Sequence, residues 1–391
     1  MKKLAAITLT SMMLLLATAM VVGAVEKVEV RGAVATADTT WNSQNFAGFY
    51  YDIKDDIGTE TLSTTITGEK KLSGDSPYGV KYETKAQSKE FKFEDWGAFN
   101  VMGFLADRYF AGYVENADNA EKNLLFKEST DENSLSSEQL QKILIDDDTE
   151  KTVTSGTPMK MEEGYELAIK SIDIDGNKVY LELSKDGSVV DSKVISPSKA
   201  NANMADKTYY YKNPAVGDQK KLVTIAAHFK NAFRGADQNL ATVDGIWQIS
   251  GEATDVKADT EYDKMTITSV DANAGTITME NKDNAITLSK NKDTALMSGI
   301  SIKTADNNTL RYYIYKAVTI EGAAAPAVAA APVVEAAPVA EAAPVEVHAA
   351  EPAPAAANAT AEPAKEQPGF ESILAITGLL AVAFLVLGRR E

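Results

Sequence analysis

Cysteine is absent from this sequence of 391 residues, and histidine occurs only at His228 and His348. Without cysteine the chain cannot form disulfide bonds, so its stability depends on core packing, on assembly or on both. A histidine-based zinc site or a Ser-His-Asp triad would rest on His228 alone, because His348 lies in a low-complexity segment. The sequence also lacks a glycine-flanked nucleophile motif, a phosphate-binding loop and a dinucleotide fingerprint. We therefore expect a protein that is not an enzyme, with no catalytic residues and no cofactor.

Basic residues are in deficit, with 39 Lys and Arg against 56 Asp and Glu, and the formal net charge is −17. An acidic surface repels nucleic acid and attracts cations, so we expect no nucleic-acid partner and weak binding of divalent cations. A calcium loop of the EF-hand type that starts at Asp173 fails, because its sixth and twelfth positions hold Lys178 and Ser184. The Asp175-Gly176-Asn177 triplet favours a hairpin turn instead. The carboxylates of Asp146–Asp148 remain available for weak cation binding.

The N-terminus has the three parts of a secretory signal. Lys2 and Lys3 precede an uninterrupted run of apolar and small residues that closes on Val22-Gly23-Ala24. This pattern predicts a signal peptide over residues 1–24, cleaved after Ala24, with a retained membrane helix as the alternative. Cleavage removes two lysines and takes the net charge from −17 to −19.

Low-complexity sequence begins at residue 322 and continues to residue 367. Proline recurs every few residues there, aromatic side chains are missing, and alanine offers too little apolar area for a core. The composition predicts a disordered, semi-rigid stalk, on the order of 140 Å long if fully extended. The apolar run Ile373–Leu387 follows and would form a helix of about 22 Å, which is short for a bilayer core of roughly 30 Å.

Strand patterns dominate residues 25–321, the part of the chain that can build a core. Alternating or β-branched runs are bounded by Gly, Asn or Asp, as in YGVKYETKA, KLVTIAAHF and LRYYIYKAVTI. Such density predicts a mainly β fold of paired antiparallel β-sandwich domains. One short connector helix is predicted at SLSSEQLQKILIDDD, where Ser136 and Gln139 fit a capping box. Leu140, Ile143 and Leu144 would form its apolar face.

An internal similarity relates residues 169–183 to residues 267–281 with a constant offset and no gap. Both stretches read as strand, polar turn and strand, which predicts hairpins near residues 165–183 and 263–281. We interpret them as parts of two related β units.

Aromatic residues mix with glycine around Trp41 and Trp96, in WNSQNFAGFYYDI and DWGAFNVMGFLADRYFAGY. The pattern favours sandwich core, because large side chains usually go inside, with a sugar-stacking platform as the alternative. Two sequons make Asn307 and Asn358 glycosylation candidates if the chain is exported.

The C-terminus resembles the PGF-type sorting signal of archaeal surface proteins. Pro368, Gly369 and Phe370 carry the motif, the short apolar run follows, and Arg389 and Arg390 form the basic end. The resemblance implies that residues 368–391 are recognised and removed by an archaeosortase, and that the protein is transferred to a membrane lipid. The stalk would then hold the folded part away from the membrane.

Longer stretches are similar to the S-layer proteins of methanogenic archaea of the Methanosarcina type, in their S-layer-related duplication domain. These stretches span roughly residues 28–320 and include VEVRGAV, WNSQNFAGFYYDIKDDIGTETL, WGAFNVMGFLADRYFAGY, EQLQKILIDDD, GYELAIKSIDIDGNKVYLELSKDG, HFKNAFRGADQNLATVDGIWQIS and LRYYIYK. The family implies paired β-sandwich domains that tile the cell surface with narrow, negatively lined pores. Its major lattice protein typically carries two copies of this unit, whereas one is found here.

These observations favour a structural subunit of the cell-surface S-layer, a glycoprotein that self-associates, contacts other S-layer subunits and acts as a barrier and sieve. An accessory S-layer component is one alternative. A tethered adhesin or glycan-binding module is a second, and it would place the Trp41 and Trp96 clusters on an exposed face. A tethered hydrolase is a third, and it would need His228 in a cleft beside a serine or a carboxylate.

Overall fold

The computed structural model describes residues 26–320, apart from residues 120, 174, 176, 236 and 237. Several predictions lie outside this range: the signal peptide with Ala24, the stalk with Asn358, and the tail with Pro368, Gly369, Phe370, Arg389 and Arg390. Within it, the protein is mainly antiparallel β-sheet with few and short helices. None of the described helices has the length and hydropathy that a membrane span requires.

The strands are numbered in chain order. They are β1 (Glu26–Arg31), β2 (Thr39–Asn42), β3 (Glu60–Thr65), β4 (Lys71–Leu72), β5 (Gly79–Lys85), β6 (Gln87–Glu90), β7 (Ala98–Phe104), β8 (Asp107–Val114), β9 (Gln139–Asp147), β10 (Lys151–Thr154), β11 (Met159–Lys160), β12 (Tyr165–Ile172), β13 (Val179–Lys185), β14 (Ser188–Ile195), β15 (Thr208–Asn213), β16 (Leu222–Arg234), β17 (Asn239–Asp255), β18 (Glu261–Tyr262), β19 (Met265–Asp271), β20 (Thr276–Glu280), β21 (Ile286–Thr287), β22 (Asp293–Met297), β23 (Ile300–Thr304) and β24 (Tyr312–Ile320). The α-helices are α1 (Leu124–Glu128) and α2 (Met204–Lys207), and 3-10 turns cover Glu94–Trp96 and Ser134–Ser137.

The first sandwich is built from both ends of the described chain. Its four-stranded sheet has the order β1-β24-β23-β22, and its six-stranded sheet has the order β18-β19-β20-β5-β3-β2. Alternate residues of both sheets face inward and form one apolar core that includes Trp41, Tyr82, Met279 and Tyr312. The pairing of β1 with β24 joins the two ends and closes this sandwich.

The second sandwich is inserted between β5 and β18. Its larger sheet has the order β15-β16-β17-β9-β8-β7-β6, with β10 paired to β17, and its smaller sheet has the order β11-β12-β13-β14. One core lies between the two sheets, and an aromatic core with Phe91, Trp96, Phe99 and Trp247 covers the other face of the large sheet. Since β16 is covered on both faces, its first eight residues are all buried, which explains its continuous run of mostly apolar residues.

The predicted connector helix at SLSSEQLQKILIDDD, residues 134–148, is wrong. Ser134–Ser137 forms a single 3-10 turn capped by the Asn133 side chain, and Glu138 then adopts a left-handed conformation with φ of 52°. β9 follows and pairs with β17, with Leu140 opposite Thr254. Leu140 and Ile143 are buried on the sheet, because the pairing with β17 outweighs a weak local helix preference. In the part of the chain that the structure describes, the α-helices are the short α1 and α2.

The two similar segments form hairpins with the same register. In β12 and β13, Ile169 lies opposite Leu181, and the register shifts before Ser171. In β19 and β20, Ile267 lies opposite Met279, and the register shifts before Ser269. A bulge therefore occurs at the same place in both hairpins, one in each sandwich. The relationship between two whole β units stays a prediction.

Candidate functional site

His228 is buried in the second sandwich and does not line a cleft. It is 5% exposed, its Nδ1 atom lies 2.5 Å from Oδ1 of Asp244, and its ring stacks on Phe93 with 3.9 Å between ring centres. Burial lowers the pKa of His228, although Asp244 opposes this effect. The hydrolase alternative requires a carboxylate beside His228, and Asp244 provides one. The imidazole ring is buried, however, so a substrate in solvent cannot reach it. This arrangement supports a structural role for the pair.

The close stacking depends on Gly245. A Cβ atom at this position would lie 2.4 Å from Cε2 of Phe93. Any larger residue would push the Phe93 ring off His228, so glycine is required by the close approach. Lys92 lies above this layer and donates to the backbone oxygens of Asp148 and Asp244, both at 2.8 Å.

The tryptophan side chains are part of the core, as predicted, and the exposed sugar-stacking platform is wrong. Trp41 is 0% exposed and Trp96 is 3% exposed. Each indole N–H is satisfied inside the protein: Trp41 donates to the Ala33 oxygen at 2.8 Å and Trp96 donates to Thr208 Oγ1 at 2.9 Å. Rings packed and bonded in this way cannot stack on an external glycan. The adhesin alternative therefore loses the residues on which it was based.

Lys89 is the centre of a charged cluster that links the two sandwiches. Its Nζ atom lies 2.8 Å from Asp52, 2.9 Å from Asp55 and 3.4 Å from Asp146. Burial works to lower the pKa of Lys89, but the surrounding carboxylates raise it overall, so Lys89 is a permanent cation. Arg108 adds a second positive charge, with its Nη1 atom 3.6 Å from Asp146. The two aspartates of the loop before β3 are thus held against the second sandwich.

The acidic stretch after β9 is balanced by lysines. Asp147 bonds to Lys151 and accepts from the Thr149 N–H at 2.8 Å, which together lower the pKa of Asp147 to about 2. Asp148 lies 3.6 Å from Lys54. In the part of the chain that the structure describes, no group of three or more His, Cys, Asp or Glu side chains could hold a metal ion. Weak cation binding at the surface stays a prediction.

The turn after β12 uses its aspartate to organise backbone rather than a cation. Asp173 Oδ1 accepts from the N–H groups of Asn177 and Lys178, at 2.8 and 3.0 Å. This pattern is typical of an aspartate that closes a turn. Part of the predicted Asp175-Gly176-Asn177 turn lies outside the described residues.

The sequon at Asn307 lies in the loop between β23 and β24. Asn307 is exposed, and its Oδ1 atom accepts from the Thr309 N–H at 2.9 Å. The site is therefore accessible from solvent in the folded protein. Glycosylation at Asn307 stays a prediction.

Two surface features of the folded protein are not among the features predicted from its sequence. The first is β14, which carries the exposed side chains of Val189, Val190 and Val194. The β-branched run after the Asp186-Gly187 turn is the signal that would have revealed it. The second is the Lys89 cluster, whose members come from separate parts of the chain and leave no local pattern.

Comparisons with known proteins match almost the whole described region. A family model described as "S-layer protein" matches residues 31–306, and one described as "PGF-CTERM motif" matches residues 367–387. The Major S-layer protein of Methanosarcina mazei is 33% identical over 301 residues, which cover 75% of this chain and 41% of that protein. The Major S-layer protein of Methanosarcina acetivorans is 31% identical over 343 residues, which cover 82% of this chain and 47% of that protein. The chain thus spans less than half of the length of these curated relatives.

Proposed function

Because the chain belongs to the S-layer protein family, we propose that it is a structural subunit of an archaeal cell-surface S-layer. The observation that carries this proposal is the extent of the family match, which takes in strands of every sheet of both sandwiches. The buried state of His228 and of the tryptophans supports it, because neither an accessible base nor an aromatic platform is formed by these residues.

The physical properties of the described region suit a coat. Two sandwiches with dense apolar cores, linked by the Lys89 cluster, give a rigid block that needs no disulfide. The excess of Asp and Glu gives this block an acidic surface. Gaps between neighbouring blocks would then exclude anions and large molecules and pass small cations. The function we propose is therefore that of a protective barrier and molecular sieve.

The PGF-CTERM motif marks the chain as exported and anchored at the cell surface. In our proposal, residues 1–24 are a signal peptide cleaved after Ala24, and residues 322–367 are a stalk. An archaeosortase recognises Pro368, Gly369 and Phe370, removes the tail that ends in Arg389 and Arg390, and leaves the protein attached to a membrane lipid. Mass spectrometry of the cell-surface protein tests both cuts, because an intact tail would contradict this part of the proposal.

Other components of the proposal concern partners. The folded region, residues 25–321, associates with copies of itself and with other S-layer subunits, and Asn307 and Asn358 carry glycans. Divalent cations bind weakly between acidic surfaces. Each of these statements can be tested separately. Glycopeptide analysis tests the glycans, lattice imaging tests the association of subunits, and imaging with and without a chelator tests the role of divalent cations.

Electron microscopy of the purified protein on a lipid monolayer, with and without divalent cations, tests the central proposal. Ordered two-dimensional arrays are the expected result. Dispersed particles under every condition would contradict a self-sufficient lattice subunit and would favour an accessory component. Immunogold labelling of whole cells is the control, because a lattice subunit must label the entire surface at regular density.

A further inference from the structure

The smaller sheet of the second sandwich ends in an unusually apolar edge. β14 is the last strand in the order β11-β12-β13-β14, and no other strand of the described residues pairs with its outer side. Val189, Val190 and Val194 on this strand are 60%, 42% and 55% exposed. An edge strand presents unpaired N–H and C=O groups, and exposed valines next to them favour the addition of another strand.

The usual protections of an edge are weak on β14. The strand has eight residues and no proline. The shift in its register against β13 falls at Val190, which has no partner on β13, and leaves Asp191–Ile195 regularly paired. Its one lysine, Lys193, does not project into solvent, where it would discourage the addition of another strand. Lys193 Nζ lies 3.1 Å from the centre of the Tyr210 ring, and Asp191 accepts from the Tyr209 hydroxyl at 2.7 Å. Both charges therefore lie on the side of β14 that faces the large sheet.

The sequence of β14 is complementary to itself in the antiparallel direction. Read in either direction from Ser192, SVVDSKVI gives one charged residue and then two apolar residues. In an antiparallel pair centred on Ser192, each Asp191 lies opposite a Lys193, and each Val190 lies opposite a Val194. Opposite charges and β-branched pairs are the cross-strand neighbours that stabilise a sheet.

We propose that β14 pairs antiparallel with β14 of a second copy of this chain, about a two-fold axis at Ser192. The contact joins two four-stranded sheets into one continuous eight-stranded sheet. It rests on the proposed function, because it supplies one of the contacts through which S-layer subunits associate. A two-fold contact uses the same surface on both subunits, so other surfaces remain free to extend the array.

The environment of Lys193 supports β14 of a second copy as the pairing partner. Among the described residues, no carboxylate lies at ion-pair distance from its Nζ atom. Burial lowers the pKa of Lys193 to about 8, although the more distant carboxylates of Glu128 and Asp191 oppose this effect. A second copy would bring its Asp191 opposite Lys193 and add a carboxylate at cross-strand distance. A strand of arbitrary sequence would provide the backbone hydrogen bonds but not this charge pairing.

Cysteine cross-linking tests the proposal, because the chain has no native cysteine. In the Ser192→Cys variant the two thiols lie directly opposite, at a Cα separation of roughly 4.5–5.5 Å that a disulfide accepts. Ser188→Cys is the matched control on the same strand. Its two copies would be about 26 Å apart in this register, because eight residues separate them along the strand. Both substitutions are at exposed serines, and near-ultraviolet circular dichroism confirms that each variant is folded.

The full chain of each variant is purified in mild detergent, oxidised with copper phenanthroline and analysed on non-reducing gels. The expected result is a reducible dimer that forms at least about tenfold faster for Ser192→Cys than for Ser188→Cys. Equal rates, or no dimer from either variant, would overturn the pairing. If the unmodified chain forms ordered arrays while Ser192→Cys gives no dimer, the S-layer function stands and the contact lies on another surface.

Discussion

The phenolic hydroxyl of Tyr82 donates to Oε1 of Glu60 at 2.9 Å, and both side chains are buried in the first sandwich. Glu60 accepts two more hydrogen bonds, from the N–H groups of Tyr50 and Ala106, both at 2.8 Å. Tyr50 lies in the loop before β3, and Ala106 lies in the turn between β7 and β8. One carboxylate therefore connects the core of the first sandwich to a turn of the second.

Replacement of Glu60 by alanine should destabilise the protein strongly. The substitution leaves three donors without a partner in a closed space, at a cost of about 3 kcal/mol or more in the free energy of unfolding. Denaturation followed by tryptophan fluorescence measures the loss. Glu83→Ala is the control on the neighbouring strand. Glu83 forms an exposed pair with Lys81, so its removal should change the free energy of unfolding by less than about 0.5 kcal/mol. Equal losses in both variants would contradict the role assigned to Glu60.

The same residue predicts a specific pH dependence. Burial raises the pKa of Glu60 above its usual value of 4.5, although its three donors oppose the effect. The folded state therefore binds the proton more tightly than the unfolded state, and the contribution of Glu60 to stability falls as pH rises above 4.5. Glu60→Gln removes this dependence. The free energy of unfolding of Glu60→Gln, minus that of the unmodified protein, should thus be larger at pH 7 than at pH 4.5. Urea unfolding of both proteins at both pH values measures this difference.

Asp147 predicts a pH dependence of stability with the opposite sign to that of Glu60. Because its pKa is lowered to about 2, its contribution is present above pH 3.8 and is lost as pH falls through the interval between these values. Asp147→Asn should cost about 1 kcal/mol at pH 7, since the pair with Lys151 is partly exposed to solvent, and much less at pH 2. Asp75→Asn, at an exposed turn, serves as the control with no expected change. A loss that is independent of pH would contradict the assignment.

The strands were predictable because each core position repeats with the period of a sheet. β3, β5 and β13 alternate buried and partly exposed residues, and that alternation is visible in the sequence. The helical spacing of Leu140, Ile143 and Leu144 predicts a helix within residues 134–148. Residues 139–147 form β9 instead, because β17 and β8 supply hydrogen-bond partners that no local pattern reveals.

The functional surfaces were less predictable for the same physical reason. The partners of Lys89 lie 37 and 57 residues away at Asp52 and Asp146, so only the folded chain brings the charges together. The burial of the tryptophans followed from their size and was predicted. The position of β14 at the edge of its sheet was not predictable, because a sequence shows which residues form a strand but not which strand lies last in its sheet.

Lys89 allows a direct test of the link between the sandwiches. Lys89→Met leaves Asp52, Asp55 and Asp146 facing one another with only Arg108 nearby, and should cost about 3 kcal/mol of unfolding free energy. The loss should shrink at high salt, because screening weakens the repulsion between carboxylates. Lys85→Met is the control at an exposed position of β5. Chemical denaturation at low and high ionic strength measures the free energy of unfolding of both variants. A loss in Lys89→Met that does not depend on salt would indicate that packing, rather than charge, is responsible.

The β14 edge predicts that one added charge changes self-association without changing the fold. In the two-fold pair each Val194 lies opposite Val190 of the other copy, on the face of the sheet that points away from Asp191 and Lys193, so Val194→Lys removes the apolar character of two cross-strand pairs. The loss of both apolar pairs weakens the contact, and the dissociation constant of the dimer should rise by about tenfold. Val318→Lys is the matched control, because Val318 is 42% exposed on β24, away from this edge. Sedimentation velocity of both full-length variants over a range of concentrations measures the effect. Weaker association of Val318→Lys than of Val194→Lys would place the dominant contact on the first sandwich instead, since an added lysine weakens association only where its side chain contacts the partner.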